Sequence, residues 1–399
     1  MEGPLSGVRV LEVANWLAAP AGCALLADFG AEVVKVEPAS GDPYRGYASQ
    51  ATGSQAPFNF GFELDNRGKR GMTVNLDQPG AREIIYRLVS ESDVFVTNLM
   101  QGRRERYGLT YDELIQHRSD LIHVNVTGYG SEGPDRNRPG YDYAAFWARS
   151  GIMGLLGEPT EAPPPQRGGM GDHTTALLVA GSVAMALLHR QRSGEGQELD
   201  ISLHNTGLWV LGLDVQAALA GRPLPKNSRR SVNNPIWNHY RTRDDRWIML
   251  VMLVSDMYWP RFCRAIGREE MENDPRFSSF ASRTDNREEL IAMLDNVFAQ
   301  RTLAEWAGPL DEQGLIWAPA ETLEEVIANP QTHARQPFAK IDHPTHGAVE
   351  YIDTPVKFSK SQVGVRGPAP ELGQHTEEVL LEAGYDWDEI ARLREDAVI

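Results

Sequence analysis

The sequence predicts an α/β fold in which a Rossmann-like domain on a parallel sheet is accompanied by a smaller second domain. Three observations carry this expectation. Residues 8–13 alternate as a strand, residues 21–29 fit a helix ended by Gly30, and residues 32–37 read as a second strand. A β-α-β unit of this kind implies parallel strands joined by a right-handed crossover. The alternation then continues, with strands at 93–99 and 121–127 and a helix at 81–90 between them. Finally, the composition turns basic and loop-like over 221–234, and amphipathic helices follow at 257–266, 287–298 and 303–312.

In order along the chain, Glu37 closes the second strand, where dinucleotide-binding folds carry an acid. The first turn, Asn15-Trp16-Leu17-Ala18-Ala19-Pro20-Ala21-Gly22, is not the matching G-x-G-x-x-G, so the reading is a Rossmann-like fold without nicotinamide chemistry. Residues 41–59 read as loop. A basic knot, Asn66-Arg67-Gly68-Lys69-Arg70-Gly71, leads into a short strand, and a second knot, Arg103-Arg104-Glu105-Arg106, follows Asn98 at a strand end. Ligands of open α/β sheets bind beyond the carboxyl ends of strands, so basic residues gathered there suit a phosphate-rich ligand. A solvated charged turn is the alternative for each knot. Gly140-Tyr141-Asp142 opens a helix over 143–149, and a proline- and glycine-rich loop covers 159–169. Residues 198–203 read as strand and 206–220 as helix; beta-type segments near 349–358 and a charged helix from Thr376 end the chain.

With 399 residues and a net charge of −16, the chain suits neither nucleic acid nor an anionic membrane as its main partner. Cys23 and Cys263 lie far apart in no metal or redox spacing, which suggests free thiols in a reducing compartment. The start Met1-Glu2-Gly3-Pro4 lacks the basic and apolar regions of a signal peptide, and the apolar run at 176–188 is too short to span a bilayer. A cytoplasmic protein is expected.

The stretch Gly168-Gly169-Met170-Gly171-Asp172-His173-Thr174-Thr175 stands out because glycines precede a carboxylate at the start of a long apolar helix. Asp172 there is either an N-cap or a nucleophile. Thr175 does not complete a capping box, and the glycines let a large ligand approach the backbone. Free N–H groups at a helix start would also stabilise an oxyanion.

Taken together, these residues resemble the class III CoA-transferase family, which includes formyl-CoA and carnitine CoA-transferases and shares its fold with 2-methylacyl-CoA racemases. The resemblance runs through Pro4-Leu5-Ser6-Gly7, Ala19-Pro20-Ala21-Gly22, Phe29-Gly30-Ala31-Glu32, Lys69-Arg70, 93–98 and Gly128-Tyr129-Gly130. It continues through Gly171-Asp172, Gly194-Glu195-Gly196-Gln197 and Leu372-Gly373-Gln374-His375-Thr376. It implies an interlocked, ring-like homodimer, with a large domain from 1–220 and 328–399 and a small inserted domain from 221–327. It implies Asp172 as the catalytic residue and no tightly bound cofactor or metal. Coenzyme A, as acyl-CoA substrate, would contact Ala18, Val74, Asn98, Leu99 and Arg106, with Lys69 and Arg70 in a supporting basic role. The implied reaction moves CoA from an acyl-CoA to a carboxylic acid through aspartyl intermediates.

Departures from the family bear on the substrate. Tyr141-Asp142 stands where the racemases carry a His-Asp pair, and His173 diverges from Asp172 by about 100° at a helix start, so two-base racemisation lacks a partner. Asp142 either hydrogen-bonds near the substrate or caps a helix. Leu17 replaces the glutamine of the formyl-CoA enzyme, and with Trp16, Tyr107 and Tyr141 it is expected to line an apolar acyl pocket. Pro38 replaces a CoA-contacting arginine, for which Arg45 or the stretch from Lys226 to Arg230 would compensate.

Overall fold

The computed structural model describes residues 2–47 and 59–399, so most of the loop expected over 41–59 lies outside the described residues. Two compact units are present. One comprises Met1–Met153, Pro165–Pro223 and Gln336–Ile399; the other comprises Gly154–Pro164 and Leu224–Arg335.

The first unit is built on six parallel strands: β1 (Arg9–Val13), β2 (Glu32–Glu37), β3 (Arg70–Thr73), β4 (Val94–Thr97), β5 (Ile122–Thr127) and β6 (Gln197–Ser202). Their order is β3-β2-β1-β4-β5-β6, with every neighbouring pair parallel. The chain reverses its winding direction between β1 and β4, which opens a crevice at their carboxyl ends. Helix α1 (Ala18–Asp28) is buried at all 11 positions, and its small residues admit close packing against a second core helix. That helix, α2 (Met170–Ser193), is longer at both ends than its apolar run predicts. By length and composition it would cross a membrane. Its apolar character is accounted for in part by Val179, Ala180, Val183 and Ala186, which pack into the sheet core. The stretch expected to be one helix over 206–220 is two, Leu203–Val210 and Gly212–Leu219, meeting at Leu211.

The edge strand β3 is covered by the returning C-terminal segment. Gly71 N–H donates to His375 Nδ1 at 3.1 Å, His375 N–H to the Gly71 carbonyl at 2.8 Å, and Thr73 N–H to Thr376 Oγ1 at 3.0 Å. Pairing of this kind removes the open edge that would otherwise invite association. It also gives the Gln374-His375-Thr376 motif a structural reason.

In the second unit a three-stranded antiparallel sheet (β7 His239–Arg241, β8 Trp247–Leu250, β9 Trp317–Pro319) accompanies several helices, three of which build its core. These are Ser255–Ala265, Arg287–Phe298 and Leu303–Glu312, and the core they share includes Trp259, Phe262, Phe298 and Trp306. The 226–230 stretch belongs to this unit, and its Arg229 is bound to Asp295 and, at 3.1 Å, to the His239 carbonyl.

Candidate functional site

The crevice between β1 and β4 is fastened by Asn98. Its amide donates to the Asn15 carbonyl at 2.6 Å and accepts from Asn15 N–H at 3.1 Å. Both ends of the side chain are engaged with the Asn15 backbone, at a position the resemblance assigns to CoA contact. The next residue, Trp16, adopts φ 67°, in the left-handed region that a bulky residue occupies only when its surroundings enforce it. The enforcement comes from Asp42, whose Oδ1 accepts from Trp16 N–H at 3.1 Å and Tyr44 N–H at 2.9 Å.

Asp42 is held in turn by a buried charge network. Lys35 Nζ lies 3.0 Å from Asp42, 2.9 Å from Glu12 Oε1 and 2.9 Å from the Ala14 carbonyl. Lys69 meets Glu12 Oε2 at 2.7 Å, the Pro20 carbonyl at 2.8 Å and Asn66 Oδ1 at 2.8 Å. Burial disfavours charge on Glu12, but the two ammonium groups outweigh it and hold the carboxyl below its ordinary range. Lys69 is thus an internal structural charge and presents nothing to a phosphate. Arg70 lies on the far edge, paired with Glu378 and Glu382 at 3.0 and 2.7 Å. Glu37, the acid suggestive of a ribose contact, is clasped by Arg45 at 2.8 and 2.7 Å. Arg45 also donates to the Pro370 carbonyl at 3.0 Å and covers the Phe62 ring at 3.9 Å. Arg45→Ala is therefore expected to leave CoA affinity unchanged by calorimetric titration, while costing about 2–3 kcal/mol of stability in urea unfolding.

Beyond the strand ends lies a cleft of about 210 Å³ lined by Ala14, Pro38, Val74, Leu99, Arg103 and Tyr107. A hollow of about 480 Å³ adjoins it through Arg103 and is bordered by Gln101 and Arg136. Val74 and Leu99 thus share one cleft, and Ala18 opens α1. Tyr107 belongs here too, with its hydroxyl on Asp77 at 3.1 Å, and not with the acyl-pocket aromatics among which the sequence reading placed it. Arg106 is solvent-exposed, paired with Asp77 at 2.7 Å, and lines neither cavity. Arg103, from the same knot, lines both; periodicity alone could not tell which arginine faces inward.

The aromatic wall forms around Trp16. Its ring centroid lies 5.5 Å from Tyr47 and 5.5 Å from Tyr141, edge-on to each, and 6.3 Å from Tyr44. Leu17 packs with Tyr44, Phe62 and Ala369.

Asp172 occupies the third position of α2 and is 9% exposed. It is not the N-cap; Gly169 is, at φ 82°. The helix start is capped from a distance by Asp142, whose Oδ2 accepts from Gly169 N–H at 2.8 Å and Oδ1 from Gly171 N–H at 3.0 Å. Asp142 thus caps the helix that bears Asp172, while it opens a π-helical segment, Asp142–Ala148, whose own cap position is Tyr141. Two of the N–H groups at the helix start are therefore occupied. A Cβ on Gly171 would meet Asp142 Oδ1 at 2.2 Å and Phe146 Cγ at 2.3 Å, so only glycine admits this cap. Gly171→Ala is expected to cost roughly 1–3 kcal/mol in thermal unfolding and to reduce activity by displacing Asp142.

Burial raises the Asp172 carboxyl to about 7, assisted by the negative charge of Asp142 and Asp65 and opposed by His173. The adjacent His173 turns its ring to Asp65, with Nε2 and Oδ1 2.9 Å apart. Sequence reasoning missed Asp65, Tyr44 and Arg136: the pairing of Asp65 with His173 joins residues 108 apart and leaves no local pattern.

The description CoA-transferase family III matches residues 5–376 of the chain. The (R)-2-hydroxy-4-methylpentanoate CoA-transferase of Clostridioides difficile is 32% identical, covering 99% of this chain and 99% of its own. The cinnamoyl-CoA:phenyllactate CoA-transferase of Clostridium sporogenes is 33% identical, over 98% of this chain and 96% of its own. Among solved structures, a CAIB/BAIF family protein from Brucella suis has a TM-score of 0.84 at 30% identity, covering 96% of this chain and 100% of that one. The chain belongs to CoA-transferase family III, the class III CoA-transferases.

Proposed function

We propose that the protein moves CoA from an acyl-CoA thioester to a carboxylic acid by covalent catalysis on Asp172. The observation that carries this is the Asp172 carboxyl itself, buried at a glycine-lined helix start and pushed up to about 7. A carboxylate of raised pKa is a stronger nucleophile than an ordinary one, and near neutrality a large fraction remains ionised. Asp172 attacks the thioester carbonyl and expels CoA thiolate, which leaves an aspartyl–acyl anhydride. The thiolate then attacks the Asp172 carbonyl, giving an aspartyl-CoA thioester and releasing the first acid as its carboxylate. The incoming carboxylate attacks that thioester and re-forms an anhydride with thiolate. Attack of the thiolate on the new acyl carbonyl yields the product acyl-CoA and restores Asp172. Each step exchanges one acyl bond for another, so no metal or redox group is called for.

The cleft at Val74, Leu99 and Arg103 suits the CoA moiety, with the guanidinium groups of Arg103 and Arg136 available for its phosphates. Trp16, Leu17 and Tyr141 suit an apolar acyl group and would limit water around the anhydride. A homodimer fits the apolar surface on and after α2, where Leu177, Met185, Trp209, Leu213 and Leu219 are 52–81% exposed. The test is hydroxylamine trapping with branched, aryl and dicarboxylic donors (isovaleryl-, cinnamoyl- and succinyl-CoA), followed by peptide mass spectrometry. A donor-dependent label on Asp172 is the expected result. No label, with exchange of the donor's α-proton into deuterated water, would overturn transfer in favour of racemisation.

A further inference from the structure

We propose that Asp65 and His173 form a charged dyad serving Asp172: Asp65 holds His173 as an imidazolium, which places positive charge beside the nucleophile where a tetrahedral oxyanion develops. The proposal rests on the reading of Asp172 as nucleophile and adds a positioning pair to it.

The first observation is the occupied helix start. Gly169 N–H and Gly171 N–H both point at Asp142, so two of the backbone donors at this helix start are already engaged. An acyl-transfer site with part of its backbone donors engaged gains from positive charge on a side chain. Of the charged groups that act on Asp172, two are anions, Asp142 and Asp65, and the single cation is His173.

The geometry of the dyad is fixed from the other side. Asp65 lies in the helix Phe60–Asn66 and is 1% exposed, and its Oδ1 is 2.9 Å from His173 Nε2. A carboxylate at that distance fixes the ring orientation and favours the protonated form, the arrangement that aligns a catalytic imidazole elsewhere. The opposite edge of the ring lies toward Gly169. A Cβ placed on Gly169 would lie 3.6 Å from His173 Cε1, 3.7 Å from Nδ1 and 3.6 Å from Leu17 Cδ2. The His173 side chain as a whole remains 46% exposed.

The charged and titratable groups facing the dyad are few. Asp172 on the same helix and Asp65 favour the imidazolium, while burial and the positive charge of Arg67 oppose it; the balance lies above the ordinary histidine value. Arg67 is itself bound to Asp28 at 2.7 Å, and Tyr44, whose phenol is held neutral by burial and by Asp65, completes the surroundings.

The test compares His173→Gln and Asp65→Asn with the wild type, using whichever of the three donors labels Asp172. In His173→Gln, kcat is expected to fall about 100-fold, the order found on removing one oxyanion donor, with KM for the donor within about 2-fold. Its acid limb should move to higher pH, because Asp172 loses its cation, and the alkaline limb set by the imidazolium should vanish. Asp65→Asn should move the alkaline limb to lower pH, and the NMR titration of His173 in that variant should shift the same way, a readout independent of turnover and of donor. Wild-type kcat and pH profile in His173→Gln, with Asp172 still labelled, would overturn the dyad alone, as would an unmoved His173 titration in Asp65→Asn. Absence of label in the wild type would overturn the transferase reading and the dyad with it.

Discussion

Replacing Asp172 with alanine is expected to lower kcat by at least about 10⁴-fold and to abolish the hydroxylamine-trapped label. The size of the effect follows from what the carboxylate does. A general base can be bypassed by solvent, but in the proposed transfer the side chain would carry the acyl group and then the CoA. Asp142 is the nearest carboxylate candidate, yet both of its oxygens accept from the backbone of the helix that bears Asp172.

The same residue should show an opposite effect on stability. The native pKa of Asp172, about 7, lies above its ordinary value of 3.8. For an acid raised in the native state, the unfolded chain releases its proton first as pH rises. Native stability attributable to this group is therefore present below about pH 4 and is lost progressively up to about pH 7. Three pKa units correspond to about 4 kcal/mol. Asp172→Asn, which keeps the shape and removes the charge, is expected to melt above the wild type at pH 8, with the gap closing toward pH 4. A variant that melts lower than the wild type at both pH values would mean that the carboxylate is a structural cap after all.

The contrast between what could and could not be read from the chain follows the range of the interactions. The strands of the parallel sheet announce themselves because each is a short alternating or apolar run, and the reversal between β1 and β4 then places Val74 and Leu99 at one cleft. Asp172 is legible because glycines and an apolar helix surround it within a few residues. Lys69 and Asn98 show the opposite case. Each sits at a strand end among residues that suit a phosphate ligand, and each is taken by a partner 49 or 83 positions away. Position along a strand fixes where a polar group lies but not which neighbour satisfies it. Asp142 shows the same limit: a capping residue was foreseen, but the helix it caps begins 28 residues later.

Glu12→Gln is expected to be the most destabilising single change in the buried network, by about 3–5 kcal/mol in urea unfolding. Glu12 bridges two ammonium groups that are themselves fully buried. Lys35 would keep Asp42 at 3.0 Å, but Lys69 would keep only two neutral acceptors, the Pro20 carbonyl and the Asn66 amide. An ammonium without a counter-charge at zero exposure must either lose its proton or draw in water. The double variant Glu12→Gln, Lys69→Met removes the stranded charge and should regain much of the loss, a non-additivity measurable in a double-mutant cycle. The native pKa of Glu12 lies below the ordinary 4.5, so its stabilisation is present above that value and disappears as pH falls through the native one. The single variant should accordingly show a flatter stability profile below about pH 4.5. The network also bears on the aromatic wall, because Lys35 holds Asp42 and Asp42 holds Trp16 in its left-handed conformation. Since Lys35 keeps Asp42 in Glu12→Gln, that wall should stand, and KM for donors with apolar acyl groups should rise no more than KM for acetyl-CoA.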